Sequence, residues 1–66
     1  MEITVNGEQR NYAAPLSVGE LLKSLGIDPR AVVVECNLEI LARENMAGYS
    51  LRAGDAIEII RFIGGG

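Results

Sequence analysis

Leu16-Ser17-Val18-Gly19-Glu20-Leu21-Leu22-Lys23-Ser24-Leu25-Gly26-Ile27-Asp28-Pro29 decides the fold, because it holds a complete start and stop for one short helix. Ser17 stands three residues before Glu20, the spacing of a capping box in which each side chain satisfies a backbone N–H of the first turn. Leu16 and Leu21 can close an apolar staple around it. Val18, Leu21, Leu22 and Leu25 fall at i, i+3, i+4 and i+7, one stripe facing a core. Gly26 supplies a left-handed stop, Ile27 can fold back on Leu22, and Pro29 prevents continuation. The sequence predicts a helix over residues 18 to 25.

On either side of the helix the pattern changes to strands. Upstream, Met1, Ile3 and Val5 alternate with Glu2, Thr4 and Asn6, the period of a half-buried strand. Asn6-Gly7 is the pair a type I′ hairpin turn prefers. A polar second strand, Glu8 to Ala13, then reads as an edge strand with Tyr12 as its core anchor. Downstream, Ala31-Val32-Val33-Val34-Glu35-Cys36 is dense in β-branched residues and predicts an inner strand. Asn37-Leu38-Glu39 predicts a turn, and Ile40-Leu41-Ala42-Arg43 a short strand. Glu44 to Leu51 has no strong period and predicts irregular chain with one helical turn, pinned by Met46, Tyr49 or Leu51. Ala53-Gly54-Asp55 turns the chain into a last strand, Ile57 to Ile63. In that strand Ile57 and Ile59 share one face, and Ile60 and Phe62 the other. Either both faces are covered or one is an apolar patch of the kind that binds proteins. A single helix covers one face only, which favours the patch.

This order gives an α+β fold of β-grasp, ubiquitin-like type: a mixed four- to five-stranded sheet with one main helix packed on one face. The first and last strands lie side by side in its middle. The domain spans residues 1–63 and is followed by a flexible glycine tail, 64–66. Fold alone does not give function.

Composition removes several functions. A chain of 66 residues makes one domain, and 48% hydrophobic residues exclude disorder. No apolar run approaches the ~20 residues that span a bilayer. Met1-Glu2-Ile3-Thr4 lacks the basic start of a signal peptide, so a cytoplasmic location without membrane attachment is expected. A net charge of -3 argues against nucleic acid and for a protein partner with a positive patch. Histidine is absent and cysteine occurs once, which leaves no candidate catalytic residue, zinc site or iron–sulfur site. Cys36, in a strand of valines, reads as a small buried hydrophobe. A persulfide-accepting role would require exposure and a depressed pKa, whereas Glu35 and Glu39, if close, would raise it.

The chain closes on Ile59-Ile60-Arg61-Phe62-Ile63-Gly64-Gly65-Gly66. Three glycines after a strand cannot pack, and when extended they carry the terminal carboxylate about 10 Å from the last side chain. That reach suits a partner's narrow active site. The alternative is an ordinary frayed end.

Ile3-Thr4-Val5-Asn6-Gly7-Glu8, Ser17-Val18-Gly19-Glu20-Leu21-Leu22, Val32-Val33-Val34-Glu35-Cys36-Asn37, Gly54-Asp55 and Phe62-Ile63-Gly64-Gly65-Gly66 occur together and in order. Over essentially its whole length the chain resembles the thiamin-biosynthesis sulfur carrier family, ThiS. It departs from the family's small-residue or Asn-Gly turn at Asn37-Leu38. The resemblance implies a carrier with no cofactor of its own. An E1-like adenylating enzyme would use ATP to adenylate Gly66, and a sulfur donor such as a cysteine desulfurase would supply the sulfur of a thiocarboxylate. Thiazole synthase would then receive that sulfur. Gly64 and Gly65 would thread the partner's channel, and Ile60, Arg61, Phe62 and Ile63 would contact it. Two alternatives remain open: a small molybdopterin-synthase-type sulfur carrier, and a ubiquitin-like interaction module with an inert tail.

Overall fold

In the computed structural model, which describes residues 1–62, the elements are β1 (Glu2–Val5), β2 (Glu8–Asn11), α1 (Val18–Ser24), β3 (Val32–Cys36), β4 (Glu39–Leu41) and β5 (Ala56–Arg61). The strands form one mixed sheet in the order β2-β1-β5-β3-β4. β1 and β5 are parallel neighbours, and the remaining pairs are antiparallel. This is the β-grasp arrangement that the element order predicts, with five strands.

α1 begins and ends as its residues dictate. Glu20 N–H donates to Ser17 Oγ at 3.0 Å and Ser17 N–H to Glu20 Oε1 at 2.8 Å, which completes the capping box. At the other end Gly26 has φ +70°, the N–H of Ile27 donates to Leu22 C=O at 2.9 Å, and that of Gly26 donates to Lys23 C=O at 3.1 Å. This is a Schellman stop. Val18, Leu21 and Leu22 are buried against Ile3, Val5, Val34, Ile57 and Ile59 of the sheet, while Leu25 is partly buried at the margin. Each fully buried side chain of this size stabilises the fold by roughly 1.5–3 kcal/mol.

Met46 and Leu51 close the end of the core from the irregular segment before β5, with Tyr49 partly buried beside them. The segment includes a 3-10 turn, Arg43–Asn45. Its backbone lies directly on the helix start: Val18 N–H donates to Tyr49 C=O and Gly19 N–H to Met46 C=O, both at 3.0 Å. A Cβ on Gly19 would stand 3.3 Å from Ala47 Cα. Close approach is therefore why the first helical turn carries a glycine.

The differences from the sequence expectations lie at element ends. β2 stops at Asn11, and Tyr12, partly buried, lies just beyond it. β4 runs Glu39–Leu41 because the turn occupies only Asn37 and Leu38, so Ala42 and Arg43 leave the strand. A second 3-10 turn, Pro29–Ala31, occupies the start expected for the third strand. Asp28 caps it by accepting the Arg30 N–H at 2.9 Å. β5 begins one residue earlier than expected and ends at Arg61. The predicted glycine tail, Gly64 to Gly66, and the final domain residue, Ile63, lie outside the described residues.

Candidate functional site

β5 leads to the glycines and is held on both sides. Toward β3, the pairs run from Cys36↔Ile57 to Val32↔Arg61, and Phe62 N–H donates to Ala31 C=O at 3.2 Å. Toward β1, the ladder ends where the chain turns at Asn6, and the Asn6 side chain takes over. Its Oδ1 accepts the Ile59 N–H at 2.7 Å, and its Nδ2 donates to Ile59 C=O at 3.3 Å. This side-chain amide stands in for two backbone groups at the point where β1 leaves the sheet.

Strand alternation decides which side chains are available. Ile57 and Ile59 enter the core, and Ile60 and Phe62 stand on the face that α1 does not cover, 48% and 64% exposed. Val33, half-buried, is directly opposite Ile60 on that face. The exposed apolar side chains predicted at the end of this strand, Ile60 and Phe62, are thus present. Arg61 is exposed but pairs with Val32 and belongs to the other side of the strand, so it does not share the surface of Ile60 and Phe62. Of the remaining residues expected to contact or deliver to a partner, Ile63, Gly64, Gly65 and Gly66 lie outside the described residues.

Two further exposed apolar residues escaped the sequence reading as surface features. Leu38, at the tip of the β3–β4 hairpin, is 89% exposed, and Ile40 is 73% exposed opposite Glu35. Only the strand register, which depends on a turn of two residues rather than three, shows that Ile40 joins the uncovered face. The hairpin is tied to β5 through Asn37. Its Oδ1 accepts the Ala56 N–H at 2.9 Å, and its Nδ2 donates to Asp55 Oδ1 at 3.1 Å.

Cys36 is buried, and burial pushes its thiol above the ordinary range, with the Asp55 charge as a second cause. Both favour the protonated thiol, the unreactive form. The charge that acts on it is Asp55, rather than Glu35 or Glu39. Among the described residues no group of three or more acidic or cysteine side chains could hold a metal ion. None of the described helices is long and apolar enough to cross a membrane.

A five-stranded sheet grasping one helix, with a bare apolar face beside the strand that leads to the glycines, defines a small β-grasp protein of the ubiquitin-like class. The ThiS family model matches residues 3–66, and the chain belongs to that family. It superposes on the crystal structure of the thiamine biosynthesis protein ThiS from Geobacter metallireducens with a TM-score of 0.86 and 40% identity, covering 100% of both chains. It is 38% identical over 50 residues to the sulfur carrier protein ThiS of Bacillus subtilis, covering 76% of each chain. A thiazole synthase from Paramagnetospirillum magneticum is 47% identical over all 66 residues, and the chain spans 20% of that relative's length. The same share holds for the thiazole synthase of Magnetococcus marinus, at 39% identity.

Proposed function

We propose that this chain carries sulfur on the carboxyl group of Gly66 for the formation of the thiazole of thiamin. The observation that carries the reading is the family match through residue 66, on a domain whose last strand is fixed at both edges just before the glycines. A free carboxylate is a poor electrophile. An E1-like enzyme converts it with ATP into an acyl-adenylate, releasing pyrophosphate. A persulfide, formed by a donor such as a cysteine desulfurase, attacks the acyl carbon and displaces AMP. A thiol then cleaves the resulting acyl disulfide by exchange, leaving the thiocarboxylate and a disulfide. Thiazole synthase takes the sulfur. Support for that partner comes from the two thiazole synthases that contain a segment matching the whole chain.

The chain itself supplies shape and contacts rather than turnover chemistry. Gly66 leaves both faces of the reacting carbon open, and Gly65 and Gly64 keep the approach narrow. Ile60 and Phe62, with Ile63, offer apolar contact, and Arg61 meets the same partner from the other side of the strand. Gly65→Val tests this directly: it should abolish adenylation, read as ATP–pyrophosphate exchange with the activating enzyme, and leave thermal unfolding unchanged. Exchange equal to wild type contradicts the role of the tail.

A further inference from the structure

Asn6 does more than its turn requires. The parallel ladder between β1 and β5 carries Thr4 N–H to Asp55 C=O and Asn6 N–H to Ile57 C=O, both at 2.9 Å. A strand continuing in that direction would place its next rung on Ile59, using the C=O of residue 6 and the N–H of residue 8. The backbone turns away first, at φ +49° on Asn6 and +82° on Gly7, and returns as β2. The Asn6 side chain supplies the missing rung. Its Oδ1 takes the Ile59 N–H in place of the carbonyl, and its Nδ2 gives Ile59 C=O a donor in place of residue 8. Glycine or aspartate would serve the same turn position, so the amide is what asparagine adds.

That rung is the last on its edge. By alternation the N–H groups of Glu58, Ile60 and Phe62 face β3, and those of Ile59 and Arg61 face the side of β1. Among the described residues no group bonds Arg61 on that side. A strand end bonded along one edge can twist about that edge, and a bond on the opposite edge removes the freedom. Drawn out in a channel, the seven residues beyond Ile59 reach at most about 25 Å, so a turn of about 10° at Ile59 shifts the terminal carboxylate by about 4 Å. Displacements of that size take a reacting group out of attack geometry. We propose that Asn6 is a positioning residue for the activation of Gly66: its amide fixes the direction in which β5 delivers the tail to the adenylating site. The inference rests on the sulfur-carrier function proposed above. Asn6 acts on the reacting carboxylate only through the backbone of Ile59.

The test is ATP–pyrophosphate exchange with the E1-like activating enzyme of the same cells, measured against carrier concentration well below the unfolding midpoint. Asn6→Gly keeps the turn and removes the rung. Its kcat should fall about five- to tenfold while KM for the carrier stays within about twofold, because the sheet is retained and only delivery of the carboxylate is impaired. Ser17→Ala lowers stability comparably at the helix start rather than on β5, and should leave both constants within about twofold. Amide hydrogen exchange gives the local readout. In Asn6→Gly, protection of the Ile59 N–H should fall about tenfold relative to that of Ile60, which β3 still holds, whereas general loosening lowers both alike. Wild-type kinetics in Asn6→Gly, an equal loss in Ser17→Ala, or equal loss of protection at Ile59 and Ile60 overturns the positioning role. So does a raised KM at unchanged kcat, which would make the exposed Asn6 side chain a direct contact of the enzyme. If wild type supports no pyrophosphate exchange, the carrier function falls and this role with it; if wild type exchanges and Asn6→Gly matches it, the positioning role alone is refuted.

Discussion

Leu38 has a φ of +72° and an almost fully exposed side chain, two properties that a leucine chosen for stability would not combine. Its neighbour Asn37, at φ +50°, is an ordinary occupant of the left-handed region, and its amide is used to hold Ala56 and Asp55. Leucine has no such compensation, and the left-handed conformation costs an L-residue roughly 1–2 kcal/mol. Leu38→Gly should therefore raise the unfolding free energy by about 0.5–1 kcal/mol in urea titration, after allowance for the greater backbone entropy glycine loses. A decrease would show that Leu38 contributes packing the structure does not display. Cys36 gives a second prediction. Burial raises its pKa in the folded state, so the native chain keeps a proton that the unfolded chain releases. The thiol's contribution is complete below the ordinary thiol pKa and is lost as pH rises through the raised folded value. Above about pH 8.5 the unfolding free energy of wild type should fall more steeply than that of Cys36→Ala. Parallel slopes would contradict the burial effect.

The helix and the hairpin turns show what local sequence can settle. Ser17 and Glu20 interact over three residues, and the Gly26 stop uses only its own turn, so both were legible without knowing the rest of the fold. Ser17→Ala should cost about 1 kcal/mol of stability by thermal or chemical unfolding. Asn6 marks the limit of such reading. Its place before Gly7 predicts the turn, and φ +49° at Asn6 and +82° at Gly7 agree. Its grip on Ile59, 53 residues away, depends on β1 and β5 being neighbours. Asn6→Gly keeps the turn but removes both side-chain hydrogen bonds, and should destabilise by about 1–2 kcal/mol. An unchanged midpoint would mean that water replaces the amide at no loss. The strand ends were misplaced for a related reason: where β4 begins depends on its pairing with β3, and composition does not encode that register.

At the scale of the whole molecule, one helix on a five-stranded sheet leaves a face bare. The sequence anticipated this from Ile60 and Phe62 together with the shortage of helices. It did not anticipate that Val33 and Ile40 would join them, since three strands must be placed in register before those residues meet. The role proposed for Gly66 rests on family resemblance, because nothing in a glycine's own chemistry marks it as a sulfur carrier. The central claim is therefore best tested on the terminal residue itself. The intact mass of the chain should be measured after incubation with ATP, a sulfur source and an extract of its own cells, beside a variant lacking Gly65 and Gly66. Exchange of one oxygen for sulfur, localised to Gly66 and absent from the variant, is the predicted result. An unchanged mass, while a known carrier in the same extract is modified, would contradict the account and leave a β-grasp interaction module with an inert end.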